Sequence, residues 1–134
     1  MYDRPLKLDQ TRLHNPPESI GNCFATVVAC LVHMAIDEVP AVEKLMPDVG
    51  NDSQPDYELS WVDIMTAWLN EHGYSWYVLE EWQKDEYYIA VGPSPRGVNH
   101  CCIYLNGDLY HDPHPSRAGL VEVKTMEVIT TTPS

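Results

Sequence analysis

The stretch from Cys23 to Ile36 (CFATVVACLVHMAI) constrains the fold more than any other part of the chain. It carries no formal charge, and only Thr26 and His33 interrupt its apolar character. Spanning a bilayer takes roughly 20 helical residues, so a run this short must be buried inside a folded domain. Phe24, Val27, Val28, Leu31 and Ala35 recur at the i, i+3, i+4 spacing of a buried helix face. A helix is therefore predicted from Asn22, whose side-chain oxygen is expected to cap an N–H of the first turn. In that frame Cys23 opens the helix and His33 sits in its middle, packed or at a rim.

The elements on either side set the fold class. Residues 1–21 read as an extended or looped entry, with Pro16-Pro17 blocking a helix. A short second helix is predicted from about Asp37 to Met46, and 47–59 reads as a Pro- and acid-rich loop. A third helix opens at Ser60, with Asp63 completing a capping-box pattern and Trp61, Ile64, Met65, Trp68 and Leu69 as its apolar face. Gly73 suits its C-terminus, and His72 places a cationic side chain at the negative end of the dipole. Beyond it come short runs rich in Val, Ile and Tyr, at Tyr74–Leu79, Tyr87–Val91, Val98–Leu105, Leu109–Asp112 and Leu120–Ile129. Helices first and strands afterwards predict an α+β fold, with N-terminal helices packed on a mainly antiparallel sheet. The 134 residues suit a single domain spanning 1–134, large enough for a core without metal or disulfide staples.

Charge and cysteine usage narrow the partners. Twenty acids against eight Lys and Arg give a formal charge of −12. Nucleic-acid affinity comes mostly from Lys and Arg displacing counterions, so no nucleic-acid partner is expected, nor an anionic membrane surface. Residues Met1 to Arg12 lack an apolar stretch behind a basic start, so no secretory signal is read there. Cys23 and Cys30 lie about 10 Å apart along one helix, beyond disulfide reach. Cys101 and Cys102 are adjacent on a strand and should point to opposite faces. Reduced thiols in the cytoplasm are the simplest expectation. The monomer is favoured as the working state.

Chemistry concentrates on three residues. Unpaired N–H groups and the helix dipole favour thiolate at Cys23, although such a cysteine also serves as a small buried apolar residue. A thiolate nucleophile needs a base that returns the proton to a leaving group, and histidine does both. His100 is the best placed, opening a strand after the Gly92–Gly97 loop. Asp112 is the expected orienter of its ring. The Asn106-Gly107 pair permits two hairpins. A two-residue turn pairs Cys101 with Asp112, on the face opposite to His100. A three-residue loop over Leu105-Asn106-Gly107 pairs Tyr104 with Asp108 and sets His100 directly across from Asp112. Only the second assembles a triad, so that bulged turn is predicted. His111 and His114 flank two prolines and read as surface residues. Together with His100 and a cysteine they are soft ligands, but without CxxC or HxxxH spacing no metal is assigned. The acids other than Asp112 are expected to lie away from Cys23, where their charge would oppose a thiolate.

A cysteine opening the first long helix (GNCFATVVACLVHMAI), a later strand beginning with histidine (GVNHCCIYLNG) and an acid on the next strand (DLYHDPHPS) resemble the papain-like cysteine peptidase superfamily. The likeness is greatest to small peptidase C39-like and NlpC/P60-like proteins of phage and bacterial type. The resemblance implies Cys23 as nucleophile, His100 as general base and acid, and Asp112 as orienter, with no cofactor and a peptide or protein as substrate. It also implies an oxyanion-hole donor upstream of the nucleophile. Gln10 is the candidate, which requires the Pro16-Pro17 segment to fold back, and Asn22 is the alternative. The papain-type context with Gly beside the cysteine is absent, and Phe24 follows Cys23 instead. The activity implied is hydrolysis of a peptide, isopeptide or related amide through an acyl-enzyme. Two alternatives stand beside it: an acyl or amine transferase with the same triad, and a non-catalytic acidic binding protein, such as a phage-type accessory factor, on the same fold.

Overall fold

The computed structural model describes residues 5–10, 14–15, 19–20, 22–40, 61–95, 97 and 99–131. The order is a two-residue pair of strands, β1 (His14–Asn15) and β2 (Ser19–Ile20), then helix α1 (Cys23–Val32) and a 3₁₀ turn at Ile36–Glu38. Helix α2 (Trp61–Glu71) and strands β3 (Tyr74–Leu79), β4 (Tyr88–Pro93), β5 (Asn99–Leu105), β6 (Asp108–His111) and β7 (Thr125–Thr131) follow. The last five form one antiparallel sheet in the order β3-β7-β4-β5-β6. The class is α+β, as the sequence predicts. Among the described residues no helix is long and apolar enough to cross a membrane.

Helix α1 is buried on every side: each residue from Phe24 to Val32 is inaccessible. It packs against β5, and Val27, Val28 and Leu31 meet Ile89, Ile103 and Ile129 in the main core. The segment 5–10 covers it from another side, with Leu6 N donating to Cys30 O (2.9 Å) and Leu8 N to Cys30 Sγ (3.3 Å). Helix α2 packs against β3 and adds Met65 and Leu69 to the same core. Tyr88, Ala90 and Val128 form a smaller cluster on the other face of the sheet.

Helix α1 ends sooner than its apolar period suggests. His33 adopts the left-handed conformation (φ 58°, ψ 48°) and is exposed, as is Ala35. Met34 N donates to Ala29 O (3.0 Å), the 6→1 closure of a Schellman turn. The expected second helix is reduced, within the described residues, to the 3₁₀ turn. Val39 is extended (φ −87°, ψ 139°) because Pro40 disfavours the helical region for the residue before it. Residues 41–46 of that helix, the loop 47–59 and the Ser60 cap lie outside the described residues. His72 does sit at the end of α2, its Nδ1 2.8 Å from Trp68 O.

The sheet departs from expectation at one edge of β7. Pairing begins at Thr125 rather than Leu120, because the preceding segment crosses β4 on two isolated bonds, Val121 N to Pro93 O and Lys124 N to Val91 O, both 2.8 Å. That crossing presses the Glu122 carbonyl onto Gly92, the cross-strand partner of His100. A methyl group at Gly92 would collide with backbone, which has no rotamer to yield. Gly92→Ala is expected to cost at least about 1–3 kcal/mol in urea unfolding. A loss within about 0.5 kcal/mol, the range of neutral surface changes, would contradict this packing.

Candidate active site

The hairpin between β5 and β6 decides whether a site forms. Its turn is the two-residue one: Leu105 pairs with Asp108, and both Asn106 (φ 53°) and Gly107 (φ 84°) have the positive φ that a type I′ turn requires. The predicted three-residue loop is therefore incorrect. Asn106 is held in this conformation by a reciprocal pair with Asp85, whose N–H donates to Asn106 Oδ1 (2.7 Å) while Asn106 Nδ2 donates to Asp85 Oδ1 (3.1 Å). The register then slips by one residue in β6: Tyr104 pairs with Leu109, but Ile103 pairs with His111. Tyr110 is the extra residue of a β-bulge.

That slip supplies what the turn does not. Without it, Asp112 would follow Cys101 onto the face opposite to His100. With it, the ladder aligns Asp112 with Cys102, which shares a face with His100 two residues earlier. Asp112 thus reaches His100 diagonally rather than from directly opposite. His100 Nε2 and Asp112 Oδ1 are 2.6 Å apart, and both side chains are buried. A carboxylate only accepts, so Nε2 carries the proton in this bond.

Asp112 is fixed by its own loop. His114 N donates to Oδ1 and Gly119 N to Oδ2, both at 2.8 Å. Arg117 Nη1 donates to the Asp112 carbonyl (2.6 Å) and pairs with Asp9 Oδ1 (2.5 Å). Burial raises the Asp112 pKa, but His100 and the two backbone N–H groups outweigh it and hold the carboxyl down at about 2. Burial likewise disfavours the charged His100, yet Asp112, Cys102 and Cys23 outweigh it and push the imidazole up to about 11.

Cys23 is the first residue of α1 and is half-buried. Cys101 and His100 are near enough to the thiol for both to act on its titration. Cys101 lies in the core under α1, while His100 and Cys102 alternate to the other face. Cys101 lowers the Cys23 pKa most, burial opposes it, and His100 lowers it further, leaving the thiol well below its ordinary 9.0. Cys101 is in turn pushed up by Cys23 and by burial.

Of the residues proposed from sequence, the fold brings together Cys23, His100 and Asp112. Gln10 is buried at the Asp112 end of the site, its N–H donating to Pro113 O (2.9 Å). The β1–β2 pair, with His14 opposite Ile20, folds the chain back between Gln10 and Cys23. Asn22 is buried beside Cys23 but does not cap with its side chain. Its backbone (φ −117°, ψ 36°) is outside the extended region that aims a capping oxygen at the first turn, and its carbonyl instead accepts from Thr26 N (3.0 Å) and Oγ1 (2.8 Å).

Five neighbours were not assigned from sequence. Cys101 acts on the titration of Cys23, and the Cys102 sulfur lies within 4.8 Å of the nearest donor atoms of His100 and Asp112. The signal for Cys101 was strand alternation, which needs the added knowledge of which face α1 covers. His114 stands edge-on to His100, 6.1 Å between ring centres, and His111 is buried rather than on the surface, its Nε2 donating to Leu8 O (2.6 Å). Glu127 sits on the α1 face of β7, accepts from Trp76 Nε1 (2.7 Å), and its charge acts on Cys101. Burial raises its pKa.

Donor atoms of His100, Cys102 and Asp112 lie within 4.8 Å of one another, a spacing that invites comparison with a metal site. Two ligands of one tetrahedral zinc stand roughly 3.3–3.8 Å apart, given bonds of about 2.0–2.3 Å. His100 Nε2 and Asp112 Oδ1 are closer than that, at hydrogen-bond distance, and the Asp112 oxygens already accept three bonds. The set fits a hydrogen-bonded Cys-His-Asp constellation better than a coordination sphere.

No family model matches the chain, and neither a curated protein nor a solved structure is significantly similar to it. What defines the protein is its structure: an α+β fold with a cluster of Cys23, His100 and Asp112.

The two thiols of α1 provide an internal comparison. Burial pushes Cys30 up to about 11, whereas Cys23 is pulled down. A thiol with a lowered pKa holds more thiolate at neutral pH and gains less from further alkali. Iodoacetamide is expected to modify Cys23 faster than Cys30 at neutral pH and with a flatter dependence on pH, the Cys30 rate rising about tenfold per pH unit. Equal rates with the same slope at both thiols would contradict an activated Cys23.

Proposed function

We propose that the protein is a cysteine hydrolase of papain-like architecture, cleaving a peptide, isopeptide or related amide bond. The observation that carries this reading is the chain of contacts from the Cys23 thiol through His100 to Asp112, at the N-terminus of a buried helix. A structural cysteine needs no histidine, and a structural histidine needs no third group to fix its tautomer.

In this reading Cys23 Sγ attacks the carbonyl carbon, and the C–O π electrons move onto oxygen. The first-turn N–H groups of α1, which the Asn22 side chain does not cap, point toward that developing oxyanion, with Gln10 or Asn22 as the additional donor. His100 Nδ1 gives its proton to the leaving nitrogen, the C–N bond breaks, and an acyl-enzyme remains on Cys23. Water then donates a proton to Nδ1 as it attacks the thioester, releasing acid and thiolate. Asp112 stays ionised throughout, holding the ring and the imidazolium charge. Partners and location follow the same reading: a protein or peptide substrate within the cytoplasm.

An activity-based electrophile with an amide recognition element tests the proposal. The native chain is expected to take one equivalent at Cys23, Cys23→Ala none, and His100→Ala at a rate lowered about 10²–10⁴-fold. Labelling that persists unchanged in both variants would exclude it.

A further inference from the structure

In a chain with twenty acids and eight Lys and Arg, two cationic side chains meet at one cavity that the hydrolytic scheme does not use. The cavity, of about 230 Å³, lies between the 5–10 segment and the edge strand β6. Lys7 lines it from the segment, Leu109, Tyr110 and His111 from β6, and Asp112 and Arg117 from the loop beyond. We propose that this cavity binds a small organic carboxylate, with its charge held between Lys7 and Arg117 and its apolar body against Leu109 and Tyr110. The inference is independent of the chemistry assigned to Cys23.

Both cations have donors open to a ligand. Arg117 bonds through Nη1, to Asp112 O (2.6 Å), His114 O (3.3 Å) and Asp9 Oδ1 (2.5 Å). Its N–H groups on Nε and Nη2 have no partner among the described residues. Lys7 Nζ stands 4.6 Å from the centre of the Tyr110 ring, and among the described residues no carboxylate pairs with it. A cation over a ring face meets no acceptor oxygen, so the ammonium donors of Lys7 stay available. The two acids that touch this group are already engaged. Asp112 is buried, its oxygens accepting from His100, His114 N and Gly119 N, and Asp9 is paired with Arg117.

The walls narrow the class of ligand. A planar fork of N–H groups beside a flexible ammonium matches the paired oxygens of a carboxylate. Tyr110, the extra residue of the bulge, is braced by Tyr87, edge-on at 4.8 Å between ring centres, and its hydroxyl lies 3.5 Å from Pro5 O. With the half-exposed Leu109 it offers an apolar wall that a bare phosphate would leave uncovered. At about 230 Å³ the cavity is smaller than the usual ligand site of roughly 300–1,000 Å³, so it suits a free acid or the C-terminal residue of a peptide.

The test is titration of the isotope-labelled native chain with 3-phenylpropanoate, followed by amide NMR, with 3-phenylpropanamide as the neutral control. Saturable shifts centred on Lys7, Tyr110 and Arg117 are expected with the acid, weakened by salt, and none with the amide. Lys7 is exposed, so Lys7→Gln is expected to keep the fold and weaken binding about two- to fivefold. Arg117→Gln is expected to weaken it about tenfold. Asp9→Asn removes a competing carboxylate and is expected to tighten binding, whereas an Arg117 with a merely structural role would bind more weakly once its ion pair is lost. Acetyl-glycyl-phenylalanine against its C-terminal amide distinguishes the sources. Tighter binding of that peptide acid than of 3-phenylpropanoate supports a peptide C-terminus, and the reverse order supports a free acid. The proposal is overturned by the absence of saturable shifts, by equal response to acid and amide, by inorganic phosphate binding as tightly as the acid, or by unchanged affinity in Lys7→Gln.

Discussion

The site depends on the 2.6 Å bond between His100 Nε2 and Asp112 Oδ1, and that bond depends on a single extra residue. A type I′ turn at Asn106-Gly107 alone would send Asp112 to the wrong face of the sheet. The bulge at Tyr110 returns it. Because side chains alternate strictly along a strand, one residue of slip is the smallest change that moves an entire strand end from one face to the other. The bulge is also where the strand ends, so little pairing is lost beyond it. The loop from His114 to Gly119 then closes on the displaced carboxylate with two backbone N–H groups.

The helix and the sheet supply the rest by packing. Phe24 through Val32 are buried, so α1 cannot slide or rotate without opening the core, and Cys23 at its first residue is held in place. The 5–10 segment extends this restraint to the far side, tying Cys30, His111 and Pro113 to one extended strand of chain. Phe24 is held by Trp76, 5.3 Å between ring centres, and Trp76 in turn bonds Glu127. Cys23 is thus buttressed by apolar contact rather than by a polar cap. The low thiol pKa comes from Cys101 and His100, against the cost of burial.

Much of this was legible in the residues. The apolar spacing of α1, the capping position of Cys23, the alternation of the later runs and the order Cys, His, Asp all read directly, and Tyr74–Leu79 forms the strand that its sequence predicts. The hairpin register was not legible, because a three-residue loop and a type I′ turn followed by a bulge leave nearly the same trace in sequence. Both bring Asp112 to the face of His100, and only the pairing distinguishes them. The place of Cys101 under α1 was hidden for another reason: alternation separates Cys101 from Cys102, but only tertiary packing decides which of them faces the helix. The ends of α1 and of the predicted second helix were set by backbone at His33 and by Pro40, local effects that a period of apolar residues does not carry.

The central claim is that the bulge delivers Asp112 to His100 and so fixes a charged imidazole beside Cys23. Nitrogen-resolved NMR titration of the His100 ring, assigned with His100→Gln, tests it most directly. The account predicts an imidazolium that persists through neutral pH and titrates toward about 11, with a lower value in Asp112→Asn. A ring that titrates near the ordinary 6.5 in both the native chain and the variant would contradict it.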